Sequence, residues 1–196
     1  MIMTQQLQDL TPVIRLLTAA FIDDPVLSWA FPDPVTRPEA LAVVVRAYVH
    51  HGQVRTVGPT ERPDAAAVWS DPAGPDIPTP DQLPPVLLPH LDRLAQLDQL
   101  LGARHPADHD HRYLRVIGVQ PAERGRGHGG ELLRQGLAEW DAAGLSTYLE
   151  ASSPRNAALY VRHGFTPYGE PIRLPDGPEL YPMWRDSRPD TSSARS

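Results

Sequence analysis

The sequence predicts one mixed α/β domain of the α+β kind, with helices flanking a mixed central sheet. Three observations predict it. Helical periodicities open the chain, a hairpin pattern interrupts them, and a β-α-β-α-β-β order closes it. The length of 196 residues allows one sizeable core, and the 41% hydrophobic content is ordinary for a soluble chain. Residues 1–186 read as that single domain and the polar segment 187–196 as a frayed tail.

Each element has its own signal. Thr11-Pro12 reads as an N-cap followed by proline at the first helical position, with Val13, Leu16, Leu17 and Ala20 on one face. Asp24-Pro25 breaks that helix, and 26–30 forms a short turn. Thr36-Arg37-Pro38-Glu39 has capping-box spacing and opens a helix with Leu41, Val44, Val45 and Tyr48 inward, closed by Gly52. The β-rich segments 53–57 and 65–70 form a hairpin. Six prolines make 71–85 irregular. Helical periodicity returns over 86–101 and stops at Gly102. A strand over 112–119, a helix over 127–143, a strand over 145–151 and a helix from Ser153-Pro154 to Gly164 follow. The two strands should be parallel and joined by a right-handed crossover. Segments 165–171 and 179–185 read as a closing antiparallel pair. Residues 1–10 make a poor strand.

Composition prunes the chemistry. There are no cysteines and all 18 basic residues are arginine. This excludes disulfides, thiolate metal sites, a cysteine nucleophile, a Schiff base and the lysine of a Walker phosphate loop. The net charge of −6 argues against a nucleic-acid partner and suits solubility or a cationic substrate. No apolar run spans a bilayer and no basic n-region opens the chain, so no membrane partner and a cytoplasmic location are expected.

The sharpest local feature is Gln120-Pro121-Ala122-Glu123-Arg124-Gly125-Arg126-Gly127-His128-Gly129-Gly130, between a strand and a helix. Small residues let backbone N–H groups converge on an anion, and the helix terminus and Arg124 and Arg126 add positive potential. A diphosphate is the natural ligand. Gly125, Gly127 and Gly130 satisfy the dinucleotide pattern G-x-G-x-x-G, with Glu150 twenty residues on. Five residues separate Val119 from Gly125, however, and only 46 follow Glu150, too few for the rest of a nucleotide-binding sheet.

The alternative pattern is R-x-x-G-x-G, carried by Arg124, Gly127 and Gly129. With Val119-x-Pro121 before it, Leu132-Leu133 after it, then Asn156-x-x-x-Tyr160 and Gly164-Phe165, the sequence resembles the GNAT family of N-acetyltransferases. Within that family, Leu149-Glu150-Ala151-Ser152-Ser153-Pro154-Arg155-Asn156, Ala67-Val68-Trp69 and Leu174-Pro175-Asp176-Gly177-Pro178 are similar to stretches of puromycin N-acetyltransferases. The resemblance implies a central sheet with splayed strands, and acetyl-CoA as co-substrate. Arg124, Gly125, Arg126, Gly127, His128, Gly129 and Gly130 would hold its pyrophosphate, and unpaired N–H groups at Ile117 and Val119 together with Asn156 its pantetheine arm. His128 replaces the usual apolar residue of the loop.

The acceptor would be a small-molecule amine, reacting by direct attack in a ternary complex. Tyr160, in the family motif, is the candidate general acid, against a plain core tyrosine. Glu150 interrupts an apolar strand and is the candidate base or amine-orienting group, against a structural partner for Arg155 or another arginine. Phe21, Trp29 and Trp69 are candidate acceptor contacts, against core positions. His105, His109 and His111 have a spacing that a zinc site could use, but no fourth cluster follows and no metal is expected. Other readings are protein N-acetylation or non-catalytic acyl-CoA binding, by a monomer or a homodimer.

Overall fold

The computed structural model describes residues 9–72 and 83–188. Residues 1–8, most of the proline-rich 71–85 segment and the tail from 189 lie outside the described residues. Helices α1 (Thr11–Phe21), α2 (Pro25–Ala30) and α3 (Arg37–His51) precede the hairpin β1 (Gln53–Val57) and β2 (Ala65–Ser70). A 3₁₀ turn (Pro85–His90) runs into α4 (Leu91–Gly102), then β3 (His111–Val119), α5 (His128–Ala142), β4 (Ser146–Ala151) and α6 (Pro154–Arg162). Strands β5 (Thr166–Pro167), β6 (Ile172–Arg173) and β7 (Glu179–Arg185) complete the chain.

The mixed α/β expectation holds. One seven-stranded sheet runs β1-β2-β3-β4-β7-β5, with β6 also on β7. Strands β3 and β4 pair in parallel, and every other pair is antiparallel. Two clusters fill the sheet's opposite faces. Leu132, Leu133, Leu137 and Trp140 of α5 pack on Ala65, Ala67, Trp69, Leu114 and Leu149. Val13, Leu16 and Leu17 of α1 with Val45 and Val49 of α3 pack on Ala66, Val68 and Val116. A third cluster joins α2, Leu41 and Leu87 to Ile172, Leu174 and Leu180.

Several local expectations are corrected. Thr11 is inside α1, whose N-cap is Leu10; Asp9 accepts the Thr11 N–H instead. The Thr36 capping box does not form, because its hydroxyl donates to Asp33 at 2.7 Å. Asp33 also accepts the Val35 N–H, a local side-chain turn that competes with a cap. Proline at 85 and 89 holds the start of the 86–101 segment in a 3₁₀ turn. The expected strand 165–171 is cut to two residues, because Gly169 takes a positive φ of 73°. Ile172 and Arg173 then pair farther along β7.

Candidate active site

The site begins with two irregularities in β3. Trp69 pairs with Leu114 and Val68 with Val116, so Arg115 is an extra residue in the ladder. Such a bulge re-aims side chains. On the other edge, β3 pairs with β4 only at His111, Arg112 and Tyr113, although both strands continue. Beyond Tyr113 they diverge into a wedge. The Gln120 N–H donates to Asp64 O at 2.8 Å, toward β2. Alternate residues of a strand share a direction. The N–H groups of Ile117 and Val119 therefore face the wedge.

Above the wedge stands the glycine loop. Gly125 and Gly127 have φ of +83° and +89°, a backbone that other residues enter only with strain. Gly127 caps α5, so the free N–H groups of that helix's first turn open at the loop. The charges are partly committed. Arg124 donates to Ala20 O at 3.0 Å, satisfying a terminal carbonyl of α1. Arg126 pairs with Glu123 at 2.9 Å, and His128 lies 3.9 Å from the same carboxylate. Gly129 packs beside Val119 and Gly130 beside His163. The backbone amides and helix terminus are thus the loop's least committed donors.

The wedge floor is polar and aromatic. Glu150 Oε2 accepts from the Tyr113 hydroxyl at 2.5 Å. Its Oε1 is shielded and has no hydrogen-bond partner, nor does the shielded Tyr148 hydroxyl. Burial raises the Glu150 carboxyl above the ordinary range, against the lowering effect of the Tyr113 hydroxyl, then the nearby Tyr148 hydroxyl, then the Arg115 charge. Burial likewise raises the Tyr113 and Tyr148 hydroxyls, so both stay protonated donors. Among the described residues Glu150 forms no ion pair, with Arg155 or otherwise. Arg115 lies over the Tyr113 ring at 4.4 Å and the Tyr48 ring at 5.8 Å.

Tyr160 projects from α6 into the core, 7% exposed, against Phe165. Burial and then Asp24 raise its hydroxyl. Asp24 is a residue that the sequence reading missed. It caps α2 through the Val26 and Leu27 N–H groups. It also accepts from Ser152 at 2.6 Å, and Ser152 accepts from Asn156 Nδ2 at 3.2 Å. This chain ties the α1–α2 turn to the start of α6. Tyr48, Tyr113, Arg115 and Tyr148 were missed as well. A charged residue in an apolar strand, the signal that marked Glu150, also marks Arg115.

The three aromatic candidates part company. Phe21 is half-buried at the end of α1, next to Gly118 of β3, and so borders the wedge. Trp69 does not: it is 1% exposed, 6.0 Å from Trp140, with its ring against Gly136 of α5. Trp29 is also a packing residue, 9% exposed, donating to Pro175 O at 2.8 Å. That bond anchors the 174–178 turn to α2.

The three histidines form a contact of another kind. His111 Nδ1 donates to His109 O at 2.7 Å, so its Nε2 is the acceptor for His105 Nε2 at 3.1 Å. Burial, then His111 and Arg115, push His105 down to about 4. Among the described residues no group of three His, Asp or Glu is placed to hold a metal ion. No helix of the described residues is long and apolar enough to cross a membrane.

Residues 94–167 match the family model described as an acetyltransferase (GNAT) domain. A structure described as histone acetyltransferase HPA2 and related acetyltransferase, from Corynebacterium glutamicum, is 27% identical. The match covers 95% of each chain with a TM-score of 0.67. Arylalkylamine N-acetyltransferase 2 from Aedes aegypti has a TM-score of 0.58 at 15% identity, over 91% of this chain and 94% of that one. An agmatine N-acetyltransferase mutant has a TM-score of 0.57 at 16% identity, over 90% and 94%. The matched segment contains β3, the glycine loop, α5, β4 and α6, and with them every part of the wedge that β3 and β4 build.

Proposed function

We propose that this chain moves the acetyl group of acetyl-CoA onto the amine of a small molecule, a reading supported by its acetyltransferase-domain match and its fold. The observation that carries the reading is the wedge that opens after Tyr113, with an N-terminal helix cradle above it and the half-buried Glu150 at its floor. The residues present fit the co-substrate. Gly125 and Gly127 leave open space where a Cβ would stand, and the first turn of α5 offers N–H donors to a diphosphate. The thioester supplies an activated acyl group.

The chain's own groups do the rest. Ile117 and Val119 N–H groups bind the extended arm and polarise the carbonyl oxygen. Ionised Glu150, lifted by burial toward neutral pH, receives the proton of the attacking amine, whose ammonium satisfies the free Oε1. Tyr160 holds its proton and hands it to the leaving sulfur. Asn156 and Ser152 keep the start of α6 in register with Asp24. Phe21 lines the wedge.

A small-molecule acceptor is supported by the puromycin N-acetyltransferase-like stretches 149–156 and 174–178. The structural neighbours include proteins named for agmatine and arylalkylamine acetylation. An antibiotic or a related metabolite is then one acceptor class to assay. The test is calorimetry with acetyl-CoA followed by thiol release over an amine panel that includes aminonucleosides. Binding heat with acetyl-CoA and amine-dependent thiol release are expected. Binding without turnover on any amine would leave an acyl-CoA-binding module instead.

A further inference from the structure

The arginines that hold this fold together have their donors engaged. Arg37 gives three hydrogen bonds to the carbonyls of Phe31, Ile22 and Pro32. Arg185 grips both oxygens of Asp141 at 2.7 Å and donates to His163 O. Arg115 differs. It is half-buried, yet its one hydrogen bond to a described residue is from Nε to Ser70 Oγ at 3.0 Å. Ser70 gives its own hydroxyl proton to Asp71 O at 2.9 Å, so its oxygen is fixed as the acceptor. The Tyr113 and Tyr48 rings hold the guanidinium plane. Both terminal nitrogens are left without a described hydrogen-bond partner, and no described carboxylate pairs with them. A guanidinium so oriented presents a planar fork that matches a carboxylate.

The guanidinium and Glu150 share Tyr113: Arg115 lies over its ring at 4.4 Å, and its hydroxyl donates to Glu150 at 2.5 Å. The arginine's charge acts on Glu150, His105, Tyr113 and Tyr48 together. Glu150 and Arg115 do not close into a salt bridge, so the cleft floor carries a separated acid and base. A simple ammonium ion would satisfy Glu150 and leave the arginine unneutralised beside a second cation. A molecule with both charges satisfies the two. The glycine loop starts after Val119, four residues or about 13 Å beyond Arg115 along an extended strand.

We propose that the acceptor is a zwitterion, an amine with a carboxylate close by, as in an amino acid, and that Arg115 receives the carboxylate while Glu150 faces the amine. This rests on the acetyl-transfer reading above. Arg115 is thus a specificity-determining residue, placed by the bulge that makes it the extra member of β3.

The test uses the full chain with acetyl-CoA and three matched acceptor sets: amino acids, their amides, and the amines lacking the carboxylate. The α-, β- and γ-amino acids are all included, to read the spacing. For the best spacing, kcat/KM for the acid should exceed that of its amide by about ten- to a hundredfold. Arg115→Gln should bring this ratio close to one, with Arg115→Lys intermediate. Ser70→Ala, which frees the guanidinium without removing it, should lower the ratio less. Calorimetry with coenzyme A separates the two levels. No coenzyme binding by the wild-type chain sinks the acetyl-transfer reading and this proposal with it. Intact coenzyme binding with equal rates for acids and amides, or with no carboxylate-bearing amine acetylated, overturns this proposal alone. A ratio unchanged in Arg115→Gln also overturns it.

Discussion

The two faces of β3 and β4 are made by the same short strands and behave as opposites. On the α5 side, Leu114, Leu149 and Ala151 meet Leu132, Leu133 and Leu137, all 4% exposed or less. On the α3 side, Tyr113, Arg115, Tyr148 and Glu150 put hydroxyls, a guanidinium and a carboxyl in the same layer. One face removes apolar area from water and holds the strands in place. The other holds a carboxylate oxygen and a hydroxyl unsatisfied at depth, whereas the orphaned atoms of the α5 face include the indole N–H groups of Trp69 and Trp140; such atoms are destabilising and are tolerated where a ligand completes them. The division teaches where to look for each kind of effect. Changes on the α5 face should move stability and leave the pH profile alone. Changes on the α3 face should move the pH dependence of rate and of stability.

The largest effect is expected on the polar face. Glu150→Gln should lower kcat by about a hundred- to ten-thousandfold, the usual loss on removing a general base. The wild-type rate should rise with pH through a midpoint above the ordinary 4.5 of glutamate, because burial raises this carboxyl. The sign for stability is opposite. The folded chain keeps Glu150 protonated where the unfolded chain has already ionised it. Native stability therefore falls as pH climbs from 4.5 through the raised value, while activity grows over the same interval. Pairing a rate profile with denaturation at each pH checks both; parallel curves would remove Glu150 as the base.

Next comes the joint that closes the apolar face. Arg185, 6% exposed, binds both oxygens of Asp141 and so fastens the end of β7 to the end of α5. Asp141→Asn leaves a buried guanidinium short of its counter-charge, and about 3–5 kcal/mol of stability should be lost. The bridge holds Asp141 below the ordinary carboxylate range, chiefly through the Arg185 hydrogen bonds. Its contribution is present above the ordinary 3.8 and disappears as pH falls below it. Urea unfolding at neutral pH should show the loss, with the midpoint of the rate profile unmoved. A shifted midpoint would mean that the faces are coupled.

What could be read in the sequence follows the same division. Periodicity found α5, the hairpin of β1 and β2 and the order of the elements, because apolar burial repeats locally. The glycine loop was legible because its residues are consecutive. The wedge was not, since it depends on where β3 stops pairing with β4 after Tyr113. Nor was the cluster around Glu150, which joins residues 37 apart in the Tyr113 bond and reaches Tyr48 on α3 through Arg115. Asp24 shows the same limit. Its role as a cap is visible beside Pro25, but its bond to Ser152 spans 128 residues. The tryptophans misled for a simple reason. Large aromatic side chains are buried more often than they line sites, and Trp69 fills the space over Gly136.

Gly136 gives a smaller effect on the apolar face. A Cβ there would lie 2.8 Å from the Trp69 ring, which is itself fully buried. Gly136→Ala should therefore cost about 1–3 kcal/mol by overpacking, partly offset by about 1 kcal/mol of helix propensity. A net loss in thermal unfolding with an unchanged pH–rate midpoint is expected. A net gain would show that the indole can shift, and that this face is looser than its burial indicates.

The smallest expected effect returns to the polar face. His105 is held down to about 4 by burial, then by His111 and Arg115, from an ordinary 6.5. Its Nε2 donates to His111, and its ring meets Tyr113 and Tyr148 at 5.0 Å each. The unfolded chain takes up a proton below pH 6.5 that the folded chain refuses until about 4. Stability from this group is complete above 6.5 and declines as pH falls toward 4. A full proton gives about 1.4 kcal/mol per pH unit, and a half-buried ring gives less. In His105→Gln the decline over that window should flatten, whereas Asp141→Asn should leave the decline in place. If both variants flatten it alike, the acid sensitivity belongs to the fold as a whole, and the two faces of these strands do not divide the labour.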